Sequence, residues 1–192
     1  PLRRGQSVAR ETPDVSPVSW DMLQKTLPFM PGRVRDMTRV QFLCGMRPQD
    51  VIGLTWSQIE REGDVWFYRP DRHKNAWRGH HLTKAIGPKA QTILKNYEHR
   101  ERDAPVFSPR EEMMKFVEAK TYLTETDRAL AIEGVNRNFG DGYSNNSYSR
   151  AVRDASSKAL AAGLDVKPWS PNQLRHGVAT LIWKGMGPDK SQ

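Results

Sequence analysis

The chain has 192 residues, which is enough for one domain with its own hydrophobic core. Thirty Lys and Arg residues against 22 Asp and Glu residues give a formal net charge of +8, which favours a polyanionic partner such as nucleic acid over an acidic small substrate. The single cysteine excludes a disulfide framework and a cysteine-based metal site, and with no apolar run near the roughly 20 residues of a membrane span we expect a soluble, cytoplasmic protein.

The N-terminal part is predicted to be a linker followed by two helices. Residues 1–17 carry arginine, serine and proline without a helical or strand period, which indicates an extended segment. Ser19 is placed to cap a first helix that ends before Pro28. A second helix is predicted from about 33 to 43, with its apolar residues buried and its arginines outside. It leads into a turn that contains Arg47.

The Arg47 turn has the residues of a phosphate site. Gly45-Met46-Arg47 is followed by Pro48, which suits the first turn of a helix, and by Asp50, an acidic residue placed to hold the arginine. A guanidinium offers a planar fork of donors that matches two phosphate oxygens. Taken alone, an arginine at a helix start is more often a structural cap or a surface ion pair, so a second site is needed.

A small antiparallel sheet is predicted after the Arg47 helix. A strand rich in aromatic and β-branched residues covers 65–68, and 80–86 returns as the last strand. The loop of 70–79 between them is basic and carries Lys74 at its tip. Lys74 alone is a weak signal, because any basic hairpin tip has a similar pattern and Arg72 is a close competitor. The residues of this loop that we expect to contact DNA are Arg72, His73 and Arg78.

The next region is predicted to contain three helices and one long loop. The helices cover about 88–102, 110–126 and 148–162, and the middle one is polar enough to be largely exposed. The glycines and asparagines of 134–147 favour a disordered or DNA-facing loop. Gly163 is placed to end the last of these helices.

The second arginine lies at another helix start, in the segment Asn172-Gln173-Leu174-Arg175-His176. Asn172 comes one turn before Arg175, and its amide can donate to the same phosphate. His176 lies about 100° further around the helix and is assigned a packing or hydrogen-bonding role behind Arg175. Lys167, just upstream, is predicted to contact DNA. Two arginines that are remote in sequence therefore point to one phosphate.

The order of these motifs resembles the catalytic domain of the tyrosine recombinases of the phage integrase type. The resemblance covers most of the chain and rests on Arg47 with Asp50, on Lys74 in a hairpin, and on the box around Arg175, in which Asn172 stands where the family has histidine. It implies a mainly α fold with a small three-stranded antiparallel β-sheet. Residues 1–17 would then be a linker and 18–192 the catalytic domain.

The same resemblance implies a reaction. Family members cut and rejoin double-stranded DNA as homotetramers, through a 3′-phosphotyrosyl intermediate and without a metal or other cofactor. The two arginines stabilise the reacting phosphate and the lysine, Lys74 here, is the general acid. The nucleophilic tyrosine follows the second arginine in the family, whereas the last tyrosine of this chain is Tyr148. We therefore expect a chain truncated before its nucleophile and inactive in cleavage by itself.

Two alternatives stay open at this point. Asn172 and the missing tyrosine are also typical of a DNA-binding recombinase homologue that is impaired in catalysis. A type IB topoisomerase uses the same active-site chemistry and would have a similar pattern. No metal site is predicted, because the histidines lack the carboxylate or cysteine neighbours that such a site requires.

Overall fold

The computed structural model describes residues 16–70 and 82–177, and helices dominate this part of the chain. The elements in chain order are α1 (Trp20–Thr26), α2 (Gly32–Cys44), α3 (Pro48–Ile52), β1 (Ile59–Glu60), β2 (Trp66–Tyr68), β3 (Lys84–Ile86), α4 (Pro88–Lys95), α5 (Pro109–Glu118), α6 (Glu125–Asn138) and α7 (Asn145–Ala161). Short 3-10 turns cover Leu27–Phe29 and Trp56–Gln58, and residues 171–177 are helical. The strands form one antiparallel sheet in the order β1-β2-β3, as predicted. Most of the predicted linker and the predicted basic loop lie outside the described residues.

Local capping sets the first two helices. The Ser19 hydroxyl accepts a hydrogen bond from the Met22 N–H at 3.1 Å, which confirms it as the cap of α1. Helix α2 is capped at its C-terminal end by Gly45, whose φ of 58° places it in the left-handed region that glycine adopts at little cost. This turn directs the chain out of α2 and places Arg47 immediately before α3. The buried face of α2 follows helical spacing and includes Val34, Met37, Thr38, Val40 and Gln41.

The sheet alternates between a core-facing side and an outer side. Trp66 pairs with Ile86 and Tyr68 pairs with Lys84, so these four side chains share one face. Trp66, Tyr68 and Ile86 are buried there, whereas Ala85 on the opposite face is exposed. Strand β3 packs against α2. The sheet therefore brings Lys84 of β3 towards the end of α2 and towards the Arg47 turn.

The region after α4 differs from the prediction. Helix α4 ends at Lys95, well before 102, because the chain turns so that the Tyr97 carbonyl accepts the indole N–H of Trp56 at 3.0 Å. The polar helix predicted over 110–126 is two helices, since Thr124 accepts from the Asp127 N–H at 3.1 Å and begins α6.

The prediction of a loop over 134–147 is wrong for most of these residues, and only 139–144 lie outside the helices. Residues 134–138 complete α6, and residues 145–147 begin α7, where Ser144 accepts from the Ser147 N–H at 3.0 Å. The Ser144 cap sets the start of α7, although the asparagines beside it favour a loop. The predicted end of α7 is confirmed by Gly163, which adopts a φ of 82°.

An ion-pair cluster fixes α5 to the rest of the fold. We call it the anchor cluster; its members are Arg33, His99, Arg100, Glu111 and Asp141. Glu111 contacts Arg33 at 2.5 Å, His99 at 3.1 Å and also Arg100, and Arg100 reaches Asp141 at 2.7 Å. Burial acts to raise the pKa of Glu111, but its hydrogen bonds with His99 and Arg100, together with the positive charges of Arg33 and Arg100, lower it overall.

None of the helices in the described part of the chain combines the length and the apolar character that crossing a membrane requires.

Candidate phosphate-binding site

A single buried amide joins the two arginine segments. Gln41, on the last turns of α2, is 1% exposed. Its Nε2 donates to the carbonyl oxygen of Pro171 at 2.8 Å, across 130 positions of sequence, and lies 3.4 Å from the carbonyl oxygen of Met46. Met46 precedes Arg47 and Pro171 opens the helical segment that carries Arg175. The fold therefore brings the backbones of both predicted phosphate-binding segments to one side chain.

The opposite end of the Gln41 amide is also fixed. The Tyr148 hydroxyl, on α7, donates to Gln41 Oε1 at 2.6 Å and lies 3.1 Å from the Thr38 hydroxyl. Tyr148, Thr38 and Gln41 are all fully or almost fully buried. A buried amide whose donors and acceptor are both used has one preferred orientation, because any rotation leaves polar atoms unsatisfied. The network therefore fixes α2, α7 and the Arg175 segment against each other.

Arg47 is held through its backbone. Its N–H donates to Asp50 Oδ2 at 3.0 Å, and Asp50 lies one turn into α3 and is largely buried. The Asp50 carboxylate thus holds Arg47 through its main chain, which it orients at the start of α3. This backbone contact does not involve the guanidinium, and the Arg47 side chain is half-buried.

The Arg175 helix, residues 171–177, docks against α1 and the residues before it. The Trp169 indole donates to the Thr26 hydroxyl at 3.1 Å, and the Gln173 amide donates to the Ser16 carbonyl at 2.9 Å. Leu174 is fully buried. At Gly177 the backbones approach so closely that an added Cβ would clash with the carbonyl oxygen of Val18. The buried positions of this helix face the core, so Arg175 is exposed.

The Lys84 ammonium lies close enough to both arginines to feel their positive charges. Burial lowers the pKa of the Lys84 ammonium, and the positive charges of Arg175 and Arg47 lower it further. The carboxylate of Asp50 acts in the opposite direction and raises it. Both arginines therefore act on the same ammonium. Together with the Gln41 contacts, this places Arg47, Arg175 and Lys84 around one region of the surface.

The other predicted site residues have the following positions. Asn172 and Lys167 are exposed, and Lys167 lines a groove together with Asp21 and Asp165. His176 is also exposed, and its packing or hydrogen-bonding role behind Arg175 stays a prediction. The remaining predicted residues lie outside the described part of the chain: Arg72, His73, Lys74 and Arg78.

Four of the five tyrosines are poor nucleophiles. Tyr68, Tyr97 and Tyr148 are buried, and burial raises the pKa of each hydroxyl far above its ordinary value. Burial raises the pKa of the half-buried Tyr143 in the same way. Tyr122 is 76% exposed and lies between α5 and α6. All five precede Arg175, so neither position nor chemistry assigns the attacking group to any of them.

Sequence reasoning missed two residues of this site. Gln41 lies on the buried face of α2 in helical spacing with Thr38 and Val34, so a polar side chain at a core position was its signal. Lys84 stands two residues before Ile86 in a strand, on the side that should be apolar. A charge on the core-facing side of a strand was therefore the second available signal.

No group of three or more His, Cys, Asp or Glu side chains placed to hold a metal ion occurs within residues 16–70 and 82–177.

Comparison with known proteins identifies related folds. The family model described as the phage integrase family matches residues 22–192. The XerA recombinase has a TM-score of 0.56 at 13% identity, over 94% of this chain and 54% of that one. The Tn1549 transposon integrase in complex with circular intermediate DNA has a TM-score of 0.55 at 15% identity, over 93% and 56%. The XerH site-specific recombinase bound to its difH substrate, a pre-cleavage complex, has a TM-score of 0.51 at 14% identity, over 88% and 43%.

The chain thus spans about half the length of these solved proteins. No curated protein matches it. The mainly α fold with its three-stranded sheet is that of a tyrosine recombinase catalytic core, as the motifs predicted.

Proposed function

Because the chain belongs to the phage integrase family, we propose that it acts in site-specific recombination of double-stranded DNA, with Arg47 and Arg175 binding the phosphate that is cut and rejoined. The observation that carries this proposal is the Gln41 amide, which joins the backbone before each arginine. Two guanidinium groups brought to one place from remote positions match a single phosphodiester better than two separate surface ion pairs.

The charges suit the chemistry of phosphoryl transfer. Attack on a phosphodiester concentrates negative charge on the non-bridging oxygens, and fixed cationic donors stabilise that charge. Within the described residues, neither Arg47 nor Arg175 has a carboxylate in ion-pairing contact, in contrast to Arg33 and Arg100 of the anchor cluster. Within that part of the chain, no carboxylate competes with a phosphate for their donors. Loss of one such donor typically reduces the rate by about a hundredfold or more.

The proposed reaction conserves atoms and charge. A tyrosine hydroxyl attacks the phosphorus, an O–P bond to the 3′ phosphate forms, and the bond from phosphorus to the 5′ oxygen breaks. The tyrosine proton passes to solvent or a nearby base, and the 5′ oxygen takes a proton from the general acid, which the family resemblance assigns to Lys74. Rejoining is the reverse of these steps. Asn172 contributes a hydrogen bond to a phosphate oxygen but does not exchange a proton.

The partners follow from this reaction. Duplex DNA is the proposed substrate, in agreement with the net charge of +8, and the XerH and Tn1549 proteins named above are bound to DNA. Exchange between two DNA sites implies four active sites, which we propose are supplied by a homotetramer. We propose that Lys167, Arg72, His73 and Arg78 add contacts to the DNA.

A second function is favoured by Asn172. The family has a histidine at this position, which can both donate a hydrogen bond and transfer a proton near neutral pH, whereas the asparagine amide can only donate. A recombinase homologue that binds DNA without cutting it would retain Arg47, Arg175 and the surrounding charge. The two functions make the same prediction for binding and opposite predictions for cleavage.

Binding is tested on the 192-residue chain with a short DNA duplex. The logarithm of the affinity should fall linearly with the logarithm of salt concentration, with a slope of about 0.9 for each phosphate contact. Arg47→Ala and Arg175→Ala should each reduce the slope by about 1. Arg137→Ala is the matched control, since this exposed arginine on α6 pairs with Glu133. Binding that does not respond to salt, or arginine variants that match Arg137→Ala, would refute the phosphate site.

Cleavage is tested with a duplex nicked close to the cutting site. The short piece of DNA diffuses away after attack, so an active enzyme remains covalently attached to the other piece. A protein with cleavage activity should give a covalent adduct, and Arg175→Ala should slow its formation by about a hundredfold or more. A product that binds DNA with the expected salt slope but forms no adduct would instead be the non-cutting homologue.

A further inference from the structure

Lys84 occupies an unusual position in the sheet. It pairs with Tyr68 on β2, and two residues later Ile86 pairs with Trp66. Paired residues of an antiparallel sheet project to the same side, and alternate residues of a strand share a side. Lys84 therefore lies on the face that buries Trp66, Tyr68 and Ile86, where an apolar side chain is the usual choice. It is only half-exposed.

The surroundings of Lys84 do not neutralise it. Asp50 lies near enough to favour its charge, but no carboxylate of the described residues is within 4.0 Å of the ammonium. The Asp50 carboxylate is already engaged by the N–H of Arg47. Among the described residues, its remaining charged neighbours are Arg47 and Arg175, which repel a third cation. Counted over these residues alone, three cations face one carboxylate.

Such an arrangement is unfavourable without an anion. A partly buried cation loses hydration, and like charges nearby add to that penalty unless a counter-charge is present. A phosphodiester supplies that counter-charge, with two non-bridging oxygens and further oxygens on its bridges. An ammonium on a flexible stem can contact an oxygen that the two guanidinium groups leave free.

We propose that Lys84 is a further phosphate-contacting residue, which reaches from β3 to the same DNA phosphate, or to one of its neighbours, as Arg47 and Arg175. The proposal rests on the proposed function of this chain as a DNA recombinase. It concerns a different residue from Lys74, which lies ten positions earlier and carries the assignment of general acid. Lys84 belongs to the framework of the sheet and is set by its register.

The opposing explanation is that Lys84 is structural. Its aliphatic stem would then cover the sheet while its ammonium extends to water. Lys84→Met would in that case keep the packing, remove an uncompensated charge and leave DNA affinity at the level of any surface lysine variant. The two explanations differ in DNA binding and agree on folding, so both properties have to be measured.

The test compares four chains: wild type, Lys84→Met, Lys84→Arg and Lys89→Met. Lys89 is an exposed lysine on α4 and controls for the loss of one positive charge. Affinity for a short duplex is measured between about 50 and 200 mM salt. Lys84→Met should reduce the slope by about 1 and weaken binding about tenfold, Lys84→Arg should restore most of both, and Lys89→Met should change both less. Equal effects of Lys84→Met and Lys89→Met would overturn the proposal.

A second measurement is independent of folding differences between variants. In wild-type protein with ¹³C-labelled lysine, NMR titration gives the pKa of the Lys84 ammonium with and without the duplex. Among the described residues, its charged neighbours are Arg47, Asp50 and Arg175, and the thiol of Cys44 also lies near; a bound DNA phosphate adds negative charge to this set. The pKa should rise when DNA binds. An unchanged pKa at saturating DNA would also reject the contact.

Failure of the proposed function has a different signature. If wild-type protein does not bind the duplex, or if Arg47→Ala and Arg175→Ala bind as wild type does, then the phosphate site itself is wrong. If these two variants weaken binding while Lys84→Met equals Lys89→Met, only the role of Lys84 is wrong.

Discussion

Replacement of Gln41 by leucine tests how the two arginine segments are joined. Leucine has a similar size but no polar atoms, so the Pro171 carbonyl loses its donor at 2.8 Å and the Tyr148 hydroxyl loses its acceptor at 2.6 Å. The contact of Gln41 with the Met46 carbonyl is 3.4 Å long and contributes little. Two good buried hydrogen bonds at about 1 to 2 kcal/mol each predict a loss of about 2 to 4 kcal/mol in the free energy of unfolding.

The same variant should weaken DNA binding. Leucine removes the hydrogen bond that joins the start of the Arg175 helix to the end of α2, so the two guanidinium groups are held less firmly in one geometry. We expect about a tenfold loss of affinity for a short duplex, which corresponds to about 1.4 kcal/mol. Urea unfolding followed by tryptophan fluorescence gives the stability, and fluorescence anisotropy with labelled DNA gives the affinity.

A matched control is available in Gln91→Leu. The Gln91 amide also bridges two backbone carbonyls, of Asp64 at 2.7 Å and Ile86 at 3.0 Å, but it joins α4 to the sheet. Its removal should reduce stability by a similar amount and change DNA affinity by less than about twofold, because the arginine segments stay joined. If Gln41→Leu bound DNA as wild type does, or if Gln91→Leu weakened binding equally, the amide would not be what positions the arginines.

Three further predictions follow from buried groups. Tyr148→Phe removes one hydroxyl from the Gln41 network and should lower the free energy of unfolding by about 1 to 2 kcal/mol in urea denaturation; no loss would contradict the network. Burial raises the pKa of the Cys44 thiol to about 12, so at pH 8 about one molecule in 10,000 carries the thiolate, and a thiol reagent should label native protein far more slowly than urea-unfolded protein. The pKa of Glu111 is lowered from its ordinary 4.5, so its stabilising effect is complete above about pH 4.5 and is lost as the pH falls through the folded-state value. Unfolding measured between about pH 6 and pH 3 should show a drop that Glu111→Gln reduces, and identical pH profiles would refute it.

Local signals predicted the elements where capping and periodicity agreed. Ser19, Gly45 and Gly163 mark helix ends through interactions within a few residues, so their sequence context was sufficient. The helices in the second half of the chain were harder to predict. Thr124 and Ser144 are good helix caps, but the glycines and asparagines near them favoured a loop in the prediction. In the structure, α6 and α7 begin directly after these two caps. The early end of α4 depends on a contact between Trp56 and the Tyr97 carbonyl that no local pattern contains.

The sequence by itself determined the chemistry available to this protein: a basic chain, two arginines each at a helix start, an acidic partner for the first, and a box with asparagine in place of histidine. These are properties of residue types and short spacings, which the chain carries before it folds. Only the tertiary structure decided that the Arg47 and Arg175 segments meet on one amide and that Lys84 faces them from the sheet. The physical reason is that a hydrogen bond across 130 residues, or the side of a strand that faces a core, depends on packing between elements.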